Sequence, residues 1–210
     1  MPRPARRVAA NVKDTTLVEE RRERIVRAAL AVFGEKGYSA ATTRDVGIRA
    51  GLTQGSLYNY VRSKEDILYL VCDRAVAHYH AAIAAAVERV ADPRERLVRA
   101  VRAVVKVQYE HRHNIALVLR EARLLDTRSR EAIRRRVDTF LDEIVEIVAA
   151  GTRGRGRRRA SARLLAEMVT YLPTLFAMRP WRLAAIGPPE KVIDELVDVI
   201  LAGLKIDQPS

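Results

Sequence analysis

Apolar residues recur at intervals of three and four along most of the 210-residue chain, the spacing that places them on one face of an α-helix. In the first such segment Ile25, Ala29 and Phe33 share a face, and Gly37 stands where a helix C-cap is expected. No segment alternates apolar and polar residues as a half-buried strand does. The pattern therefore predicts an all-α protein.

About nine helices are predicted from this periodicity and from the capping residues between its segments. Pro173 predicts a kink in the eighth helix, and Ser129 is interpreted as the N-cap of the seventh. Residues 181–189 are interpreted as a connection. The predicted helices run from 16 to 36, 44 to 50, 54 to 60, 64 to 90, 92 to 110, 114 to 126, 129 to 151, 160 to 178 and 190 to 204.

The second and third predicted helices are too short to be stable alone, yet each has a capping residue. Either Thr42, with Asp45 three residues later in a capping box, or Thr43 caps the second helix. Thr53 caps the third helix, and Ser63 caps the long helix that follows. Each of these short helices thus has its own capping signal in the sequence.

Two short helices joined by a turn that contains Gly51 match the helix-turn-helix arrangement of DNA-binding proteins. In the second of them Gln54, Ser56 and Asn59 would face outward together with one tyrosine. Gly55 would leave the backbone open for close approach to a phosphate. This helix is the one we expect to present side chains rather than to bury them.

The net charge of the chain indicates which classes of molecule it binds. The formal net charge of +12 and the sequence pI of about 10.4 favour a polyanion, either nucleic acid, anionic lipid or a phosphorylated ligand. No apolar run approaches the roughly 18 residues of a membrane span, and the basic N-terminus lacks the apolar centre of a secretory signal. The single cysteine, Cys72, indicates a reducing compartment. We expect a cytoplasmic protein with no membrane partner.

Residues 22–68, RERIVRAALAVFGEKGYSAATTRDVGIRAGLTQGSLYNYVRSKEDIL, resemble the DNA-binding domain of the TetR family of bacterial transcriptional regulators. The matching motifs are F-x-x-x-G-Y, T-T-x-D followed by an apolar residue, A-G-L-T, G-S-L-Y-x-Y and S-K-E. The resemblance covers residues 20–71, and beyond them it is architectural only. Two positions depart from the family pattern: Gly47 replaces a common alanine, and Val61 replaces a usual aromatic residue.

The resemblance implies that Thr43, Tyr58 and Lys64 contact DNA phosphates, with the helix dipole reinforcing the charge of Lys64. Tyr60 is either packed, bound to a phosphate or both. Arginine can bridge guanine, and glutamine or asparagine can bridge adenine, in the major groove. Candidates for base contacts are Arg44, Gln54, Ser56 and Asn59. The whole expected DNA-binding set is Thr43, Arg44, Thr53, Gln54, Gly55, Ser56, Tyr58, Asn59, Tyr60 and Lys64.

We expect residues 1–15 to form a basic flexible arm, 16–66 a DNA-binding domain and 67–207 a ligand-binding and dimerisation domain. The arm is interpreted as solvated, with insertion of Arg3, Arg6 or Arg7 into a minor groove as the alternative.

Members of the family dimerise through their last two long helices, which implies a homodimer on palindromic double-stranded DNA. Apolar faces of the last two predicted helices supply the expected interface. Its candidates are Leu164, Leu165, Met168, Leu172, Ile193, Leu196, Ile200 and Leu204, with Val192 and Val199 as alternatives to Ile193 and Ile200.

The resemblance also implies a pocket for a small-molecule effector, whose binding would lower the affinity for DNA. For each candidate the alternative is ordinary core packing. The candidates are Tyr109, Leu117, Leu124, Phe140, Tyr171, Phe176, Met178 and Trp181. The Gly/Arg loop at 151–159 suits an apolar molecule with a phosphorylated head, or is a solvated connection. Residues 119–133, LREARLLDTRSREAI, resemble regulators of lipid or aromatic-acid catabolism that respond to acyl-CoA thioesters.

Metal binding and catalysis find no support in the sequence. His78 and His80, like His111 and His113, are two residues apart and so point in different directions on a helix. No nucleophile–base arrangement and no phosphate-binding glycine loop is present. Cys72 is interpreted as an inert core thiol, with redox sensing as the alternative. We expect no metal, no cofactor and no enzymatic activity.

Together with these patterns, the resemblance to the TetR family implies a DNA-binding repressor that a ligand releases. One alternative is a regulator without a small-molecule ligand, controlled by a protein partner or acting constitutively. The other is an enzyme that retains a relic DNA-binding domain. An enzyme would need clustered polar residues in the second domain, and the sequence shows none there.

Overall fold

Helices are the only regular secondary structure in the described part of the chain, which comprises residues 8, 10–12, 14–153 and 159–204 of a computed structural model. The prediction of an all-α protein is confirmed. The α-helices are α1 (Thr15–Lys36), α2 (Thr43–Arg49), α3 (Gln54–Tyr58), α4 (Lys64–Val87), α5 (Pro93–Glu110), α6 (Arg112–Glu121), α7 (Thr127–Gly151), α8 (Arg159–Tyr171), α9 (Leu175–Met178), α10 (Pro180–Ala184) and α11 (Pro189–Gly203). Two short 3₁₀ segments span Ala122–Leu124 and Leu172–Thr174.

The start of α7 corrects one predicted cap. The helix begins at Thr127, and Asp126 Oδ1 accepts the backbone N–H of Ser129 over 3.0 Å. The Ser129 hydroxyl donates in return to the other carboxylate oxygen of Asp126. The interpretation of Ser129 as the N-cap is therefore wrong, because Asp126 performs that role from three residues earlier.

Pro173 interrupts the eighth predicted helix, as expected. The 3₁₀ segment Leu172–Thr174 separates α8 from α9, since proline lacks the N–H that continues an α-helix. Gln108 of α5 is 3% exposed and donates from Nε2 to the carbonyl oxygen of Thr170 over 2.6 Å. A buried amide thus satisfies a carbonyl at the end of α8, where the regular helical partners stop.

The short helix α10 was not predicted. It begins with Pro180 at its first position, where a missing N–H costs nothing, and its other residues lie inside the segment interpreted as a connection. Its five residues make little more than one turn, which is too short to show a periodicity in the sequence.

The chain packs into two compact units. Among the described residues the first unit holds the N-terminal part through Val76 together with Ala116–Arg136, and the second holds Ala77–Ile115 and the rest from Val137 onward. The first unit thus contains a later segment that the expected division at residue 66 does not place there. Helices α4 and α7 each contribute residues to both units.

The core of the first unit forms around α1. Ile25 and Phe33 are fully buried, and the Phe33 ring meets the Tyr38 ring edge-on with centroids 5.2 Å apart. Leu117 and Leu125 from the later segment belong to the same core. Each such buried side chain stabilises the fold by about 1.5–3 kcal/mol. This core supports the two short helices α2 and α3.

The core of the second unit lies among α5, α7, α8 and α11. Val101 of α5, Val148 of α7 and Val197 of α11 are fully buried within it. Gly151 ends α7 against α5, where an added Cβ would lie 2.7 Å from Leu97 Cβ and 2.9 Å from the carbonyl oxygen of Pro93. Only glycine permits this approach without a shift of one helix.

Candidate DNA-binding site

A capping box starts α2. Thr42 Oγ1 accepts the N–H of Asp45 over 3.1 Å, and Asp45 Oδ2 accepts the N–H of Thr42 over 2.9 Å. Lys36 Nζ lies 2.7 Å from Asp45 Oδ1, and its hydrogen bond, followed by those from Thr42, lowers the pKa of Asp45 to about 2. Of the two residues proposed as the cap, Thr42 is the one used. The side chain of Thr43 is therefore available for other contacts.

Three of the expected DNA-binding side chains form one polar cluster between α2 and α3. Gln54 Nε2 donates to Thr43 Oγ1 over 3.2 Å, and the hydroxyl groups of Thr43 and Tyr58 lie 3.4 Å apart. Hydrogen bonding to Thr43, and then to Gln54, lowers the pKa of Tyr58. We refer to Thr43, Gln54 and Tyr58 as the polar cluster.

Around this cluster the expected base-contacting residues Arg44, Gln54 and Asn59 are exposed, and Ser56 is half-buried. Gly55 is also exposed, and a Cβ added to it would meet no atom within 4 Å. Together they make an accessible face at the start of α2 and along α3.

Buried residues hold α3 against the rest of the first unit. Thr53 caps the helix as predicted, accepting the N–H of Ser56 over 3.2 Å. Leu57 and Val61 are fully buried, and Tyr60 is 6% exposed. Of the alternatives for Tyr60, the structure shows packing, so Tyr58 is the outward-facing tyrosine.

The ammonium group of Lys64 is engaged within the protein. Its Nζ donates to the carbonyl oxygens of Tyr38, Ser39 and Ala41 over 3.0, 3.2 and 3.0 Å. It also lies 4.5 Å from the centroid of the Tyr38 ring. An ammonium has three donors, and here each has a carbonyl partner. A contact from Lys64 to phosphate stays a prediction, and it would compete with these bonds.

The turn between α2 and α3 depends on Gly51, whose φ of 63° lies in the left-handed region. Gly47 of α2 is buried, and a Cβ added there would lie 3.4 Å from the carbonyl oxygen of Leu52 and 3.6 Å from Leu57 Cδ2. The alanine usual at this position would therefore fit.

Of the residues expected to line an effector pocket, Tyr109, Phe140 and Phe176 belong to the core of the second unit, and the others lie elsewhere. Tyr109 and Phe176 meet edge-on with ring centroids 5.3 Å apart, and Phe140 contacts Tyr79 instead. Leu117 belongs to the core of the first unit, where it is part of the hydrophobic packing. The remaining candidates are exposed: Leu124, Tyr171, Met178 and Trp181.

Two grooves in the second unit carry carboxylates. One, of about 480 Å³, has Ile83, Val87 and Ile147 on its walls beside Glu143 and Glu146. The same two glutamates line the other, of about 440 Å³, together with Asp142 and Arg163. Neither groove is lined by the expected pocket residues. Residues 154–158 of the Gly/Arg loop lie outside the described residues.

The expected dimer faces are partly exposed. On α8, Leu164 and Met168 are exposed, with Tyr171 on the same side; Leu165, Leu172, Ile193 and Leu196 are half-buried. Ile200 and Leu204 are buried in the core of their own unit, because that side of α11 packs inward. On α11 the large apolar side chain of Val199 is 64% exposed.

Cys72 is fully buried, and burial raises the pKa of its thiol to about 12. His78 and His80 take separate partners: the His78 ring meets that of His111, and His80 Nε2 lies 3.0 Å from Glu143 Oε1. In the part of the chain that the structure describes, no group of three or more histidine, cysteine or acidic side chains could hold a metal ion. Nor does any described helix have the length and apolar character needed to cross a membrane.

With this geometry in place, comparison with known proteins decides the family. Residues 25–69 match the family model described as bacterial regulatory proteins of the tetR family, and residues 90–177 match that of a tetracyclin repressor-like C-terminal domain. The transcriptional regulator HbdR of Aromatoleum sp. (strain CIB) is 30% identical over 178 residues, covering 84% of this chain and 77% of HbdR. The chain belongs to the TetR family.

Solved TetR-family structures agree with the fold. KstR2 of Mycobacterium tuberculosis, a ketosteroid transcriptional regulator, has a TM-score of 0.66 and 25% identity, covering 94% of this chain and 98% of that one. AibR, solved with isovaleryl coenzyme A and operator DNA, has a TM-score of 0.69 at 18% identity, covering 85% and 97%. The protein is thus a DNA-binding transcriptional regulator of the TetR family and not an enzyme.

Proposed function

We propose that this regulator is a repressor that binds a palindromic operator as a homodimer and is released by a small-molecule effector. The observation that supports the DNA site is the polar cluster of Thr43, Gln54 and Tyr58, which joins α2 and α3 on one exposed face. Because the family consists of bacterial regulatory proteins, we place its action in the cytoplasm, where bacterial DNA lies.

Within this site the hydroxyl groups of Thr43 and Tyr58 bind phosphate, since they lie 3.4 Å apart and can reach the same anion. Gln54, already oriented by Thr43, reads a base edge together with Arg44 and Asn59. Phosphate contacts set affinity and its salt dependence, whereas base contacts set the sequence. Thr53 and Gly55 bring the backbone of α3 close to the DNA.

Tyr58→Phe tests the phosphate contact, because it removes one hydroxyl group and leaves the ring. We expect about tenfold weaker binding to the promoter DNA of the protein's own gene. The salt slope should stay unchanged, because the tyrosine hydroxyl is neutral and releases no counterion. Tyr79→Phe, a change at a tyrosine of the second unit that lies outside the proposed DNA and dimer faces, is the matched control. Unchanged affinity in Tyr58→Phe would reject the assignment.

Arg44→Ala tests base reading. The control is Arg49→Ala, which removes the same charge from the other end of α2, where Arg49 pairs with Glu35 over 2.8 Å. We expect only Arg44→Ala to lose preference at a base pair of the operator, by about tenfold. If both variants lost the same affinity for every DNA sequence, Arg44 would be assigned to the DNA backbone instead.

Homodimer formation is supported by exposed apolar side chains on α8. Leu164, Met168 and Tyr171 are four and three residues apart, which places them on one face of the helix, and they are 64, 47 and 63% exposed. Val199 offers a further apolar side chain on α11. We propose that this face, rather than Ile200 and Leu204, meets the second copy.

Leu164→Glu would place a charge in that interface and shift the protein towards monomer. Sedimentation velocity across a concentration series measures the shift. Leu119→Glu is the control, because Leu119 is an exposed leucine outside the proposed face. If both variants dimerised with equal affinity, the proposal that α8 lies in the interface would be rejected.

For the effector we propose an acyl-CoA thioester, on the resemblance of residues 119–133 and on the AibR complex, which shows that a protein of this fold holds such a molecule with DNA. Acyl-CoAs of several chain lengths, the corresponding free acids and coenzyme A alone are titrated against the protein–DNA complex. We expect release by acyl-CoAs at micromolar concentration. No release by any of them would reject this effector.

One observation favours control without a small molecule: the two grooves carry carboxylates, which repel the phosphates of coenzyme A. A regulator controlled by a protein partner would bind DNA with the same affinity in the presence and absence of every compound in that titration. Its DNA affinity would change only when cell extract is added.

A further inference from the structure

The C-terminal end of α3 receives hydrogen bonds from distant parts of the chain. The carbonyl oxygen of Asn59 accepts the backbone N–H of Asn11 over 2.8 Å. The carbonyl oxygen of Tyr60 accepts from Arg22 Nη2 over 3.4 Å. A helix leaves its last carbonyls without internal partners, and α3 has only five residues. Two of the groups at this end are thus bound from the N-terminal segment and from α1.

Arg22 connects these parts. The same Nη2 that approaches Tyr60 also donates to the carbonyl oxygen of Val8 over 2.5 Å. The guanidinium is half-buried, and desolvation lowers the pKa of Arg22. One side chain of α1 therefore bonds both to the N-terminal segment and to the residues that follow α3.

The N-terminal segment, by which we mean Val8 and residues 10–12, packs on the first unit. Val8 is 7% exposed in the same core as Leu57, and Ala10 and Val12 pack against that core. These apolar residues are two positions apart, the spacing of one face of an extended chain. The basic residues around them had favoured a free arm. Arg3, Arg6 and Arg7 lie outside the described residues.

We propose that Arg22 and the N-terminal segment are positioning elements for DNA recognition, which fix α3 from its C-terminal end through the carbonyl groups of Asn59 and Tyr60. A helix of this length does not maintain its own geometry, because its nucleation is unfavourable. The capping bond from Thr53 fixes the other end. The selectivity of the site therefore depends on residues that do not touch DNA. This inference rests on the proposed role of α3.

The test compares two duplexes of equal length: one selected by the wild-type protein from a random-sequence pool, the other unrelated to it. Arg22→Met and Arg21→Met each remove one positive charge from neighbouring positions of α1. We expect Arg22→Met to lower the ratio of the two affinities about tenfold, the size of one lost base contact. Arg21→Met should weaken both duplexes alike. Partial unfolding lowers both affinities equally and leaves the ratio unchanged, so the ratio isolates positioning.

A second pair of variants tests the backbone hydrogen bond from the N-terminal segment to Asn59. Asn11→Pro removes the N–H that reaches Asn59, whereas Asn11→Ala keeps it. We expect a lower affinity ratio in Asn11→Pro and the wild-type ratio in Asn11→Ala. If Arg22→Met does not fold, this pair decides alone.

Unchanged ratios in Arg22→Met and Asn11→Pro would overturn the inference and leave the proposed role of α3 intact. If the wild-type protein selected no sequence from the pool, the role of α3 itself would fail.

Discussion

Lys64 places its Nζ 3.0 Å from the carbonyl oxygen of Tyr38 and 4.5 Å from the centroid of the ring of that residue. With Ser39 and Ala41 as further acceptors, the side chain ties the start of α4 to the loop before α2. A residue for which the family resemblance implies phosphate binding thus has a structural role.

Lys64→Ala should lower the free energy of unfolding by about 1–3 kcal/mol, because three backbone carbonyls lose a charged donor. Urea unfolding measures the change. Lys106→Ala removes an exposed lysine from α5 and should stay within about 0.5 kcal/mol of the wild type. Equal stability of the two variants would show that the three bonds contribute little, and loss of DNA binding in Lys64→Ala could then be attributed to phosphate.

Gly47→Ala should stabilise the protein by about 0.5–1 kcal/mol, because alanine favours the helix and the added Cβ meets neighbours only at ordinary contact distance. DNA affinity should be unchanged. Thermal unfolding and DNA titration together make the test, and a lower melting temperature would contradict the expected fit beside Leu57.

Gly55→Ala is the same substitution on the exposed side of α3, and it separates stability from binding. The added Cβ has open space in the free protein, so stability should not fall. If the DNA backbone approaches Gly55 closely, affinity should decrease by about tenfold. Affinity equal to that of Gly47→Ala would place the DNA farther from this helix.

Gly151→Ala should destabilise the second unit by about 1–3 kcal/mol, because its Cβ would overlap Leu97 and the carbonyl oxygen of Pro93. Gly203→Ala, near the end of α11, adds a Cβ with no atom within 4 Å and serves as the control. Differential scanning calorimetry distinguishes them, and a wild-type melting temperature for Gly151→Ala would show that α5 and α7 can separate slightly without cost.

Protonation of Asp45 at acidic pH should reduce the stability of the start of α2. The folded-state pKa of Asp45 is about 2, below the ordinary value of 3.8. The carboxylate therefore contributes stability above the unfolded-state pKa, and this contribution is lost as the pH falls through the interval between the two values. Asp45→Asn should reduce the dependence of stability on pH in that interval. An identical acid unfolding curve for wild type and variant would contradict the depressed pKa.

Local chemistry made the first part of the site predictable. The capping bonds of Thr42 and Thr53 span three residues, so the sequence predicted Thr53 and left Thr42 and Thr43 as the alternatives for α2. The exposure of Gln54 and Asn59 follows from the same short helix, whose opposite side carries Leu57. Family resemblance supplied the order of these elements, and the structure supplied the contact between Thr43 and Tyr58.

Features that depend on distant packing were not predictable. Residues 116–136 join the first unit because Leu117 and Leu125 enter its core, and no spacing in the sequence indicates that choice. On α11, Val199 and Ile200 have similar apolar character, but only Ile200 faces the core. The aromatic residues offered as pocket candidates likewise could not be separated from core residues by composition.

Cys72, the protein's single cysteine, provides a built-in probe for the opening of the first unit. A thiol that is fully buried, and whose pKa burial raises to about 12, reacts with an alkylating reagent only after the surrounding helices open. The rate of modification in solution therefore measures the opening of the DNA-binding half without any introduced label. Run with and without operator DNA, the same reaction would show how much binding holds that half closed.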